Sequence, residues 1–441
     1  MNHRREPSPP WEVLLMIGIC MLPGIASIAR ADWEQSNFLV AEDGNPKDYF
    51  ARSLATNADF VVVGAYGDGP PDFAGSVYVY DVITGVQQRK LTADDASYGA
   101  QFGRAVAVNE ETVLVGAPYA DAVYVFDLMS GDQLRKITPA YGNRNIQFGY
   151  AIAGEGDIAL IGAFSDDEGG LDSGAAYVFN IVTGEQIHKL MPDDPRPMDL
   201  FGRHVDLKGS IAIIGAQGDD DGGEDVGSAY LFDVTTGEQL HKLTADDPVE
   251  ESEFGSAVAI HESMALVGAP YENNNLGYVY LFDITTGKQI KKFTGSGCGA
   301  GDWFGSSAAI SGDLALIGAP GWSYDHGIAY LYDISDPQYP AFVEWFWWPS
   351  SVISHEFGES VALNQGVAVV GTANGLDHTG FACLFETCAA DVYGDGIVDV
   401  TDLLDVLSAW GSDDVYADVN GDDIVDVLDL LMVLGDWGPC E

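Results

Sequence analysis

The sequence predicts a mainly β chain: seven four-stranded antiparallel blades closed into a β-propeller, followed by a small α-helical domain of different composition. Three observations carry that prediction. A Phe-Gly or Phe-Ala pair opens seven copies of one unit at Phe50, Phe102, Phe148, Phe201, Phe254, Phe304 and Phe357, with spacings of 52, 46, 53, 53, 50 and 53 residues. A segment before the first copy supplies the piece that the last copy lacks. Residues 388–441 then abandon the pattern and hold fourteen carboxylates with neither Lys nor Arg.

In chain order, the first segment reads as an export signal. Arg4 and Arg5 precede an apolar run from Val13 to Ile28, and Ala29-Arg30-Ala31 follows as a small-x-small cleavage pattern. Residues 1–31 are therefore expected to be a signal peptide. A retained anchor is the alternative, against which the run is short for a membrane span and is interrupted by Pro23. Export to the cell surface, envelope or medium places Cys298, Cys383, Cys388 and Cys440 in an oxidising compartment, and their spacing contains no CxxC pair.

Residues 32–387 hold the repeats. After each Phe comes a short apolar segment such as Ala105–Val108. A second segment ends in Gly-Ala, as at Gly64-Ala65 and Gly215-Ala216. A third carries a recurring Tyr and ends in Asp, as in Ala229-Tyr230-Leu231-Phe232-Asp233. A Thr-Gly turn leads to a fourth, of the type Glu238-Gln239-Leu240-His241-Lys242-Leu243. Runs of four to eight residues rich in Val, Ile, Tyr and Phe, bounded by Gly, Asp or Asn, are strands. Four per unit, with no room for crossover helices, make a propeller blade.

The seventh copy stops after its third strand, at Phe385-Glu386. Its fourth is found at the mature N-terminus, where residues 34–43 align without gaps on residues 238–247. An N-terminal strand that completes the last blade pairs otherwise open backbone groups and closes the ring. Arg89, Lys90, Arg135, Lys136, Lys189, Lys242, Lys291 and Lys292 fall at two positions of the fourth strands, with His188 and His241 in the same column. They are expected to be edge charges that discourage pairing with another molecule.

These units resemble the FG-GAP repeats of integrin-α-like propellers and of bacterial extracellular proteins. Integrin-type blades carry an Asp-rich calcium loop between the first two strands. Here that turn is only Asn109-Glu110-Glu111 or Ser311-Gly312-Asp313, so calcium binding does not carry over to the blades.

Charge narrows the function. Nineteen Lys and Arg against 68 Asp and Glu give a formal net charge of −49. That balance excludes a nucleic-acid-binding footprint and attraction to an anionic membrane, and it favours hard cations. The loops between strands two and three and between blades share one face and are acidic, as at Asp166-Asp167-Glu168, Asp219-Asp220-Asp221 and Asp246-Asp247. This long-loop face is the expected interaction surface, for a protein or polysaccharide ligand. Trp345, Phe346, Trp347 and Trp348 either pack against a neighbouring blade or stack on a ligand. His204, His261, His326, His355 and His378 have neither triad nor zinc spacing, and no catalytic constellation emerges.

The tail repeats itself with an offset of 27 residues. Asp391, Asp395, Asp399 and Asp402 in the first copy, and Asp418, Asp422, Asp426 and Asp429 in the second, occupy positions 1, 5, 9 and 12 of a twelve-residue loop. With Asn420 at position 3 and the carbonyls of Ile397 and Ile424 at position 7, they predict two Ca²⁺ sites. An apolar helix ending in Trp-Gly follows each loop. The tail resembles a type I dockerin, which also ends its loops in Asp and docks onto cohesin domains. Tyr393 at position 3 and Asp423 at position 6 depart from that pattern. The resemblance assigns partner contact to Val400 and Thr401 and to Val427 and Leu428. Cys388 and Cys440 bracket the module, and a disulfide between them would staple it by about 4 kcal/mol on the chain-entropy model. Bracketing Cys and terminal Trp-Gly also resemble the anchoring modules of secreted planctomycete-type bacterial proteins.

The function expected is a secreted, non-enzymatic binding or adhesion protein, its tail fixed to a cohesin-like or envelope partner, without a membrane span once the signal is removed. A dockerin-bearing polysaccharide hydrolase or lyase, and a purely structural envelope protein, are the alternatives.

Overall fold

The computed structural model describes residues 33–69, 73–140, 145–348, 356–364, 366–387, 397–398, 400–411, 424–425, 427–435 and 438–439. The expected signal peptide, residues 1–31, lies outside them. The chain divides into two compact units, one spanning Trp33–Ala389 and one containing Ala390–Cys440.

The larger unit is a seven-bladed propeller. Six four-stranded antiparallel sheets follow chain order over 50–91, 106–137, 152–190, 205–243, 257–293 and 307–346. The seventh takes three strands from 360–387 and its fourth from Trp33–Leu39, which pairs with Phe381–Thr387 so that Phe38 faces Cys383. Each pairing of a third with a fourth strand contains a register shift, as between Leu231 and Phe232. The N-terminal strand has its own between Gln35 and Asn37. Such bulges add twist to an outer strand, and their presence here marks Trp33–Leu39 as a true fourth strand.

The core is divided among the seven interfaces between neighbouring sheets. At one, Phe201, Tyr230 and Phe232 of blade four pack with Leu160 and Val178 of blade three. The ring-closing interface sets Leu39, Val369 and Leu384 against Phe50, Val61 and Tyr78. The anchoring Phe meets the third-strand aromatics at an angle, with Phe201 5.5 Å from Tyr230 and 5.9 Å from Phe232. That geometry suits the ring quadrupoles.

Close approach explains the two recurring glycines. A Cβ on Gly215, in the second strand of blade four, would lie 2.1 Å from the carbonyl oxygen of Gly255 in blade five. Gly255 itself has φ +100°, a conformation open to Gly but not to residues with a Cβ. Gly215→Ala should therefore push two blades apart and lower the unfolding free energy by about 3 kcal/mol. Thermal denaturation checks this, and an unchanged midpoint would contradict it.

The fourth-strand basic column is not the free edge charge expected. Lys242 binds Asp219 at 2.8 Å, Asp194 at 2.8 Å and Asp221 at 2.6 Å, while the Tyr230 hydroxyl donates to Asp219. Lys90 (with Asp43 and Asp68), Lys136 (with Asp95), Lys189 (with Asp166) and Lys292 (with Asp247 and Glu272) repeat the arrangement. The neighbouring column reaches into the next blade. Arg135 donates to the Val182 carbonyl, and His188 and His241 bond the carbonyls of Thr235 and Thr285. In blades one to five, Asp and Glu on the inner side of the outer strand convert edge charge into internal clasps.

Blades six and seven show the same rule by exception. Trp345 replaces Lys opposite Tyr330, and Cys298 lies 3.4 Å from the Tyr330 hydroxyl. In blade seven Cys383 replaces Tyr and faces Phe38. A buried carboxylate is costly without its cation, so the polar groups are dropped together. The tryptophan run divides as well. Phe346 is buried against Phe385 at 4.3 Å and Trp348 stacks on Phe38 at 4.9 Å, whereas Trp345 and Trp347 are about half exposed.

Among its described residues the smaller unit has two helices, Val400–Ser408 and Val427–Gly435, which pack together and bury Val406 and Val433. Ile397–Val398 pairs antiparallel with Gly438–Pro439, joining the two ends of the module. No helix among the described residues is long and apolar enough to cross a membrane.

Candidate ligand-binding face

The long loops concentrate on the face where each first strand begins. Their paired acids have structural roles that sequence reasoning missed. At Asp246-Asp247 the first backbone N–H donates to Gln289 of the incoming blade, and the second carboxylate binds Lys292. Gln239 and Lys242 hold Asp193 and Asp194 in the same way, and Gln87 and Lys90 hold Glu42 and Asp43. The last of these carries the joint across the ring closure. Burial alone would raise the pKa of Asp219, but Lys242, the Asp221 N–H and Tyr230 outweigh it and hold the carboxyl below its usual range. Burial likewise opposes the ammonium of Lys242, and its carboxylate partners overcome that and raise its pKa. Asp166 follows Asp219, with Lys189 and Tyr177 as its partners. Among the described residues no group of three or more His, Cys, Asp or Glu side chains is placed to hold a metal ion.

The centre of this face has the opposite character. The residue after each Phe-Gly or Phe-Ala pair forms a ring around the channel mouth, and over blades one to four it reads Arg52, Arg104, Tyr150 and Arg203. These side chains line a cavity of about 370 Å³ whose wall below them includes Val106, Ile152 and Val205. Arg104 lies over the Tyr150 ring, 4.1 Å from its centroid, and donates to the Tyr150 hydroxyl. Arg203 lies 5.7 Å from Tyr150 and 5.3 Å from Phe164. Among the described residues, Arg52 alone of these arginines forms an ion pair, with Glu359 at 3.3 Å.

Burial and the arginine charges together shift the ionisable groups of the mouth. Burial, together with Arg52 and Arg203, pushes the Arg104 guanidinium down to about 10. Burial followed by the three arginines takes His204 down to about 3. Burial opposes ionisation of Tyr150, yet Arg104, Arg203 and Arg52 pull its phenol below the usual range. Glu253 accepts hydrogen bonds from Gln217 and Ser256, and burial raises its pKa against the opposing pull of the Arg203 charge. One signal could have found this site: four consecutive copies with a basic or aromatic side chain at one repeat position.

The histidines remain dispersed. His204 lines this mouth, His261 lines the opposite one and His378 lies beside Tyr49, while His355 is outside the described residues. Most candidate calcium ligands also lie outside them, namely Asp391, Asp395, Asp399, Asp418, Asn420, Asp422 and Asp426, together with Cys388 and Cys440. Ile397 falls in the short strand, Thr401 and Asp402 in the first helix and Asp429 in the second. Val400, Ile424, Val427 and Leu428 are more than half exposed.

No curated protein matches the chain. A family model described as the FG-GAP repeat matches residues 33–80, 86–126, 132–179, 185–232, 238–282 and 288–332, more than half of the sequence. Each match after the first begins at or next to a fourth strand and runs through the third strand of the following blade, and the first begins at the N-terminal strand that closes the ring. The chain belongs to the FG-GAP repeat family.

Proposed function

We propose that the protein is a secreted, non-enzymatic binding or adhesion protein, in which the propeller presents a ligand face and the tail is a dockerin-like, Ca²⁺-dependent anchor to a cohesin-type or cell-surface partner. The observation that carries the first half is the channel mouth, where two guanidiniums that form no ion pair among the described residues stand at the centre of the long-loop face. A rigid ring with its long loops on one side is a binding scaffold. Incubating the purified mature chain with a panel of polysaccharides tests the absence of catalysis, and reproducible sugar release would overturn it.

The tail reading is supported by the phase of its helices. Both begin at loop position 10, Val400 and Val427, and both have nine residues. Position 12 then falls in a first helical turn, as in a Ca²⁺ loop whose last ligand sits at the start of a helix. The donor set is all oxygen and suits a hard cation. Half-exposed Val400, Val427 and Leu428 give the module an apolar surface to offer a partner. Titration of the chelated chain should show two Ca²⁺ ions bound per molecule, and Asp391→Ala with Asp418→Ala should abolish both. Undiminished binding in the double variant would remove the assignment.

A further inference from the structure

The chain is overwhelmingly acidic, and most of its described lysines are committed to carboxylates. Three arginines nonetheless meet on one arc of the channel mouth. A lone guanidinium beside an aromatic ring is ordinary packing. Here Arg104 and Arg203 approach the two sides of one site around Tyr150, and neither forms an ion pair among the described residues. Like charges so placed repel, and that repulsion adds to burial in holding the Arg104 pKa down. An oxyanion between them would relieve that repulsion and accept charge-assisted hydrogen bonds from planar donors suited to a carboxylate.

The cavity also constrains the body that carries the charge. Its 370 Å³ lies at the small end of the range for organic ligands and exceeds what a bare inorganic ion fills. Below the arginines the wall is Val106, Ile152 and Val205. Apolar side chains under a cationic rim fit a molecule with an acid group at one end and an apolar ring face at the other.

We propose that Arg104, Tyr150 and Arg203 form a binding site for an organic carboxylate about the size of one sugar ring, such as a uronic acid, with its carboxylate on the guanidiniums and its ring against the apolar wall. The proposal deepens the reading of the propeller as a binding scaffold and depends on it. The carboxylate could belong to a free acid or to one residue of an acidic glycan, and both present the same group to the mouth.

Calorimetric titration of the full mature chain tests it, with sodium glucuronate, glucose and sodium sulfate as probes and an oligogalacturonate as the polymer arm. Glucuronate is expected to bind saturably, more weakly as NaCl is raised, with glucose silent and sulfate at least tenfold weaker. Tighter binding of the oligogalacturonate would assign the ligand to a glycan, and equal binding per residue to a free acid. Arg104→Gln and Arg203→Gln should each weaken glucuronate at least tenfold, while Lys208→Gln at the opposite mouth should not change it. The Arg203 side chain donates no hydrogen bond to the protein among the described residues, so Arg203→Gln remains informative if Arg104→Gln does not fold. Glucuronate binding that survives Arg203→Gln, equal binding of glucose or sulfate, or no binding to the folded chain would each overturn the proposal. A polysaccharide bound with undiminished affinity by Arg203→Gln would overturn the mouth site alone and leave the scaffold reading intact.

Discussion

Replacing Lys242 by Met is expected to lower the unfolding free energy by about 3–5 kcal/mol at neutral pH, because it leaves Asp219 buried without its cation. Asp219 has only 3% of its side-chain surface exposed, against 35% for Asp221 and 40% for Asp194, which water can solvate. Adding Asp219→Asn to Lys242→Met should recover much of the loss, since a neutral amide still bonds the Tyr230 hydroxyl. The pH dependence is a second signature. In the native protein the carboxyl of Asp219 titrates below the ordinary carboxylate range, so its contribution is present at neutral pH and lost as pH falls through the lowered pKa. Lys242 titrates above 10.5, so its contribution is present below that pH and lost as pH rises through the raised pKa. Without Lys242, burial dominates and raises the pKa of Asp219, so the variant gains relative stability as the carboxyl becomes protonated. The gap between the two proteins should be widest near pH 7 and close below about pH 4. Urea melts at both pH values measure it, and a gap independent of pH would refute the clasp.

Removing residues 33–43 should have a larger effect and prevent stable closure of the ring. The deletion strips the pairing with Phe381–Thr387, takes fully buried Leu39 out of the closing interface, and removes the Glu42 and Asp43 contacts to Gln87 and Lys90. Leu39→Ala by itself should cost about 2–5 kcal/mol, a large part of the net stability of a typical domain. The truncated protein should melt well below the full chain and become sensitive to protease within 357–387, and a peptide of residues 33–43 should restore part of the loss. A truncated chain with an unchanged melting curve would show that the N-terminal strand does not hold the ring together.

Both expectations separate local pattern from spatial meeting. The blades were legible because each strand declares itself through a short run of Val, Ile, Tyr and Phe ended by Gly or Asp. Ring closure was legible because residues 34–43 match 238–247 position by position. What could not be read from single columns was which columns face each other. Lys242 and Asp219 lie 23 residues apart in sequence, and each alone looks like a solvated charge. The antiparallel register sets Lys242 opposite Tyr230 and brings the loop acid over both. The same limit hid the channel mouth, since Arg52, Arg104, Tyr150 and Arg203 are separated by whole blades.

The sequence by itself determined the mainly β class, the number of blades and the strand that completes the seventh, because strand periodicity and repeat phase are local properties. It also shows a second repeat, offset by 27 residues, within residues 388–441. Only the tertiary structure decided the fate of the charges, turning a presumed edge column into buried clasps and gathering arginines at the centre of an acidic face. A charge takes its energy from its neighbours and its exposure to water, and in a closed ring those neighbours come from loops and blades that the linear chain keeps apart.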